Sequence, residues 1–132
     1  MIRRTALAAT VLLTLSACSP TTYNSSADTT LPASTSSTLP AGTLQDLLPR
    51  MQREVDGLSA LVVTGNGDGE SATRIEQYWA AIQTEVAAGW PDLVEDFDFA
   101  VRLCRSAADR RRPANADRAA KNVDALAVAI LG

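Results

Sequence analysis

A glycine-rich segment in the middle of the chain has the side-chain spacing closest to that of a metal-binding loop. Asn66, Asp68 and Glu70 alternate along it, as oxygen ligands alternate in an EF-hand calcium loop. A loop that starts at Asn66 places Ser71 where the sharp turn requires Gly, and Gln77 where calcium requires a bidentate Glu. A loop that starts two residues earlier ends on an apolar residue. The sequence therefore predicts no calcium site, but a helix–helix connection in which Asp68 or Ser71 caps the second helix.

Four carboxylates form a second candidate site: Asp92, Glu95, Asp96 and Asp98. The first three share one helical face, an arrangement that could hold a divalent cation or act as an acid–base pair. No neighbouring ligand accompanies them, and the same predicted helix ends in arginines: Arg102, Arg105, Arg110, Arg111 and Arg112. Acidic residues at the start of a helix and basic residues at its end both stabilise its dipole, so this pattern favours a solvated helix without a metal. Alternatively, the Arg110–Arg112 run could contact anionic lipid head groups.

Composition excludes several classes of function. The chain has 132 residues, enough for one domain, and contains no His. It therefore cannot form a Ser-His-Asp triad, a Cys-His pair or a His-ligated zinc site. Its formal charge is −3, whereas nucleic-acid binding requires a basic surface. We expect no enzyme activity, no cofactor and no nucleic-acid partner.

The N-terminus has the three parts of an export signal. Two arginines precede an apolar run of 13 residues from Thr5 to Ala17, which is too short to span a membrane. The segment Leu15-Ser16-Ala17-Cys18 resembles the lipobox of bacterial lipoproteins. This resemblance implies that residues 1–17 are a signal peptide, that cleavage falls between Ala17 and Cys18, and that Cys18 carries diacylglycerol. The alternatives are an ordinary secretory signal with an incidental Cys, and twin-arginine export.

The resemblance also implies a location and a first partner. A diacylglyceryl Cys18 would attach the protein to the outer face of the cell membrane, or to the outer membrane of a Gram-negative host. Residues 18–43 would then connect the lipid to the rest of the chain. Of residues 19–43, 13 are Ser or Thr, three are Pro and one is charged, so we expect a disordered linker.

Residues 44–132 carry four apolar stripes with helical spacing. The stripes comprise Leu44, Leu47, Leu48, Met51, Val55, Leu58 and Leu61; Ile75, Trp79, Ile82 and Val86; Val94, Phe97, Val101, Cys104 and Ala108; and Ala119, Val123, Leu126, Ala127 and Ile130. No window alternates with the period of a strand. We therefore predict an all-α protein, a small antiparallel four-helix bundle.

Capping residues and prolines suggest where these helices begin and end. Asp46 is the predicted N-cap of the first helix, with Pro49 in its first turn. Gly89 is the predicted C-terminal cap of the second helix, and Pro91 the first position of the third. Pro113 is expected to stop the third helix. Asn115 is expected to cap the fourth.

Three side chains remain as candidates for binding or reactivity. Cys104 lies on an apolar stripe and is predicted to be a buried thiol, with an intermolecular disulfide or a nucleophile as alternatives. Trp79 is in register with the core, whereas Trp90 and Tyr78 could line a ligand groove. We predict a lipid-anchored, non-enzymatic envelope protein whose helical domain binds another, unidentified envelope protein. The alternative is a small-ligand or substrate-binding module with a pocket between helices near Trp90 and Tyr78.

Overall fold

The computed structural model describes residues 38–132, and this part of the chain forms four α-helices. The helices are α1 (Leu44–Thr64), α2 (Asp68–Gly89), α3 (Val94–Arg110) and α4 (Pro113–Leu131), with a 3₁₀ turn at Pro91–Leu93 before α3. No strand occurs among these residues, so the predicted all-α four-helix fold is confirmed. The predictions for residues 1–17, for Cys18 and for most of the linker lie outside the described residues.

The helices form an up-and-down bundle because each connection is too short for a crossover. Each helix contacts the next along the chain, α4 contacts α1, and α1 and α3 touch only lightly across the diagonal. The near end of the bundle is the one where residues 38–43 lead into α1. It also contains the end of α2, the start of α3 and the end of α4. The far end contains the α1–α2 and α3–α4 loops.

The start of α1 differs from the prediction. Asp46 is not the N-cap but the third residue of the helix, and the residue before the helix is Thr43. Both the Thr43 amide and the Thr43 hydroxyl donate to Asp46 Oδ2, at 3.3 and 2.8 Å. These bonds hold the pKa of Asp46 below its ordinary value. Pro49 consequently lies in the second turn of the helix, where it removes a bond to the carbonyl of Gln45, an exposed residue.

The predicted stripes form the core, with small differences at their ends. The second stripe is buried throughout. In α1 the last buried residue is Val62 instead of Leu61, and Val94 and Ile130 are only half-buried. A drift of this kind is expected, because a helix of 3.6 residues per turn does not keep a strict spacing of three and four over six turns.

Trp79 is the centre of the contact between α2 and α3. Its side chain is 6% exposed, and its ring stacks on Phe97 with the ring centroids 4.9 Å apart and the planes at 11°. The indole Nε1 donates to Asp98 Oδ1 at 2.6 Å. A buried indole needs an acceptor for its N–H, and here the residue after its stacking partner supplies one. The predicted core position of Trp79 is confirmed.

The α1–α2 loop at the far end begins and ends with a glycine in the left-handed conformation. Gly65 (φ +68°) follows α1 and Gly67 (φ +79°) precedes α2. Asp68 is already the first residue of α2, so neither it nor Ser71 is the cap. Ser71 is buried and donates to Glu54 of α1. The glycine-rich loop is therefore only three residues long.

The remaining predicted boundaries are shifted by one to three residues. Gly89 is the last residue of α2 and Trp90 its cap. Arg111, in the left-handed conformation (φ +53°), ends α3, while Pro113 opens α4. Asn115 lies inside the first turn of α4 and its side chain donates to Ser106 of α3 at 3.3 Å instead of capping the helix. Local propensity thus placed the breaks correctly but assigned the wrong residue to each cap.

The Trp79 contact predicts how two tryptophan substitutions differ. Trp79→Ala removes a buried ring and should lower the free energy of unfolding by about 3 to 5 kcal/mol. Trp79→Phe, which keeps an aromatic ring but loses the N–H donor, should cost clearly less. Trp90→Ala removes a half-buried ring and should cost about 1 to 2 kcal/mol. Urea unfolding followed by far-UV circular dichroism measures all three, and a larger loss for Trp90→Ala than for Trp79→Ala would contradict this packing.

Candidate binding surfaces

The structure does not bring the two predicted ligand-groove residues together. Tyr78 and Trp90 are both half-buried and pack against the core. They are twelve residues apart along α2 and its cap, which is about 18 Å at 1.5 Å per residue. The Trp90 amide donates to the carbonyl of Val86 at 2.7 Å, so this residue also closes the end of the helix.

Cys104 is buried in the core and is the one free cysteine within residues 38–132. Burial among apolar side chains raises the pKa of its thiol to about 12. Since the thiolate is the reactive form, burial and the raised pKa both disfavour reaction of this thiol at neutral pH. The predicted buried thiol is confirmed.

The burial of Cys104 predicts its reactivity. At pH 8, a water-soluble maleimide should modify Cys104 slowly in the folded protein, because both thiolate formation and access require opening of the bundle. Labelling should become fast in urea concentrations that unfold the chain. Mass mapping of the Cys104 peptide measures this, and rapid labelling without denaturant would contradict the burial.

Three of the four predicted carboxylates, Glu95, Asp96 and Asp98, line one depression together with Phe99 and Arg102. Asp98 accepts the indole N–H of Trp79, whereas Asp92, Glu95 and Asp96 are exposed at the start of α3. No group of three His, Cys, Asp or Glu side chains that could hold a metal ion occurs in the part of the chain that the structure describes. Their positions fit the interpretation of a solvated helix start.

Two ion-pair networks connect neighbouring helices. Arg105 of α3 donates to both oxygens of Glu76 of α2, from Nε at 2.8 Å and from Nη2 at 2.6 Å, and also to Thr73 at 3.0 Å. Arg74 of α2 donates to Glu54 of α1 at 3.0 Å. The open depression between Thr73, Arg74 and Arg105 therefore has arginines that are already paired with the protein's own carboxylates.

The Arg105–Glu76 pair predicts a dependence of stability on pH. The Arg105 hydrogen bonds hold the pKa of Glu76 below its ordinary value of 4.5. A lowered pKa in the folded state stabilises the fold above pH 4.5, and this contribution is lost as the pH falls below that value. Glu76→Gln should reduce stability at pH 7 by less than about 1 kcal/mol, because both side chains are about a third or more exposed.

The pH profile supplies the check on this pair. The stability difference between wild type and Glu76→Gln should shrink as the pH falls below 4.5 in urea unfolding. Asp117→Asn, which alters an exposed carboxylate of α4, is the matched control for the loss of one carboxylate. An equal difference between wild type and Glu76→Gln at both pH values would contradict the pairing.

The Arg110–Arg112 run lies at the far end, opposite the end where the chain enters the bundle. All three side chains are exposed. The Arg111 guanidinium lies against the end of α1, so close to Gly65 that a Cβ there would overlap it. Since α1 has no basic residue in its own last turn, the charge of Arg111 stabilises the helix dipole at this end. A 21-residue α1 is about 30 Å long, so the run is far from where the chain enters.

The near end carries most of the large apolar side chains that remain exposed. Of five such residues within the described part of the chain, only Val63 is at the far end. The other four are at the near end: Leu39, Phe99, Val128 and Leu131. Phe99 lines a groove between α3 and α4, together with Asp96, Asn122, Ala125 and Leu126. We call these five lining residues the near-end groove.

Our stripe assignment missed this groove, because Phe99 and Ala125 lie off the buried stripes of their helices. One signal in the sequence could have found it. The last turns of α4, from Ala125 to Leu131, are apolar on every side of the helix. A helix in a bundle needs only one apolar side, so the apolar residues on its outer side must face solvent or a partner.

The chain matches no protein-family model, no curated protein and no solved structure. None of the helices within residues 38–132 is long and apolar enough to cross a membrane.

Proposed function

We propose that this chain is a lipid-anchored, extracytoplasmic, non-enzymatic envelope protein whose helical domain binds another envelope protein. The anchor part of the proposal is supported by the lipobox-like Leu15-Ser16-Ala17-Cys18 and the export signal before it. Diacylglycerol on one residue gives the two acyl chains that stable anchoring requires. The polar linker would keep the bundle close to the surface to which Cys18 is attached.

The binding part is carried by one observation, the clustering of exposed large apolar side chains at the near end. Phe99 and Val128 are 43% and 67% exposed on a domain whose interior is filled by its own side chains. Exposed apolar clusters rimmed by polar residues are typical of protein–protein contact sites. This surface adjoins the end where the linker joins the bundle, so a partner in the same membrane is within reach.

The alternative, a ligand pocket near Trp90 and Tyr78, has weaker support. The two rings are attached about 18 Å apart along the helix and both pack on the core. The near-end groove is formed by other residues. We therefore favour binding of a protein at the near-end groove over binding of a small molecule near Trp90 and Tyr78.

The anchor is tested by substituting one cysteine at a time. Cys18→Ala should leave an uncleaved, unlipidated precursor that starts at Met1, because neither thioether formation nor the cleavage that depends on it can occur. Cys104→Ala, the matched control, should be processed and lipidated as in wild type. Intact mass measurement of protein from membranes would contradict the anchor if wild type keeps Met1 or has an unmodified Cys18 at its N-terminus.

A further inference from the structure

We propose that the near-end groove binds a segment of the envelope partner in which apolar side chains are flanked by Lys or Arg. This inference rests on the proposed function, because it assigns the surface and the partner chemistry through which that function would operate. Two independent features support it: the apolar side chains at the groove, and the charge of the half of the bundle around them.

The apolar feature is a groove between two helices, a shape in which one helix or extended segment can dock. Phe99 of α3 faces Ala125 and Leu126 of α4 across the groove. Ala129 and Val128 continue the exposed apolar surface by one more turn along α4. Aromatic side chains, Phe included, are enriched in the cores of protein interfaces, because a partner side chain can contact the ring and exclude water from it.

The charge feature concerns the half of each helix nearer the near end. With the 3₁₀ turn included, that half of the bundle has seven carboxylates, from Asp46, Glu85, Asp92, Glu95, Asp96, Asp98 and Asp124. It has two cationic residues, Arg50 and Arg53. The other half, with the α3–α4 loop included, has six carboxylates and seven cationic residues, and Glu54 and Arg102 are the middle residues of α1 and α3. The groove is therefore in the strongly acidic half, with Asp96 in its wall.

This polarity selects among possible occupants. An anionic bilayer would be repelled by the acidic half. A second copy of this chain anchored beside the first would bring two acidic halves together, which is also unfavourable. A segment with Lys or Arg beside its apolar residues would instead find opposite charge around the groove, and charge complementarity of this kind favours both encounter and specificity. An amphipathic helix with a basic rim has this chemistry.

The first test uses a defined probe with the full-length lipoprotein in phosphatidylcholine nanodiscs. The probe is a fluorescent 14-residue amphipathic peptide with Leu on one face and Lys on the other. We expect saturable binding above that to empty nanodiscs, and no binding of the same peptide with Glu in place of Lys. Asp96→Lys and Phe99→Ser should each weaken binding at least tenfold.

Matched substitutions at the far end are the controls. Val63→Ser removes another exposed apolar side chain, and Asp117→Lys reverses another exposed carboxylate of the bundle. Both should change the dissociation constant less than twofold, and circular dichroism checks that all four variants are folded. Equal weakening by the far-end variants, binding of the Glu peptide, or failure of the Lys peptide to bind would overturn the assignment.

A second test uses photo-cross-linking in native membranes and separates this inference from the proposed function. A photoreactive residue is placed at Ala125 in the groove, or at Thr64 at the far end. Adducts from position 125 alone, on a segment with apolar residues next to Lys or Arg, support the inference. Protein adducts from position 64 alone leave the proposed function standing and overturn the groove. Cross-links from position 125 to lipid or to a second copy of this chain would contradict the proposed partner chemistry. If neither position cross-links to a protein, both proposals are wrong.

Discussion

The arrangement of α2 and α3 depends on the stack of Trp79 on Phe97. Most of the other core residues of α3 and α4 are Ala, Val or Cys, which allow close approach but do not by themselves fix the spacing or register of the helices. The two aromatic rings fill the space between α2 and α3, and the hydrogen bond from the indole to Asp98 fixes the rotation of α3 about its axis. With α3 oriented in this way, Phe97 points into the core. Phe99, two residues later and about 200° around the helix, must point away from it.

The exposed groove is thus a consequence of the same packing that makes the core. Since Phe97 is buried, Phe99 has no place in the interior and lines the surface between α3 and α4. The acidic surroundings have a similar origin. Asp92, Glu95 and Asp96 stabilise the start of α3, and Asp46 stabilises the start of α1. Both starts lie at the near end in an up-and-down bundle. The residues that define the helices therefore also give this end its charge.

The sequence was sufficient for the number of helices and for most of the buried residues, because burial follows the helical period directly. It was insufficient for the caps. Asp46 and Asn115 are both good N-cap residues, yet tertiary contacts and neighbouring residues gave each another role, and Pro49 was tolerated in the second turn because the bond that it removes is at an exposed residue. The predicted pocket near Trp90 and Tyr78 relied on residue type alone. Whether two rings on one helix meet depends on the rise and rotation of the helix between them. Twelve residues of helix separate Tyr78 from Trp90 and place their rings far apart.

We propose above that a partner in the membrane binds the near end of the bundle, and this is the central claim. Amide hydrogen exchange of the full-length protein tests this claim most directly, if exchange in native membranes is compared with exchange in phosphatidylcholine vesicles. Slower exchange in native membranes is predicted for peptides covering residues 95–101 and 122–131, with no change for residues 60–70 and 106–118. Slower exchange at the far end only, or identical exchange in the two membranes, would contradict the claim.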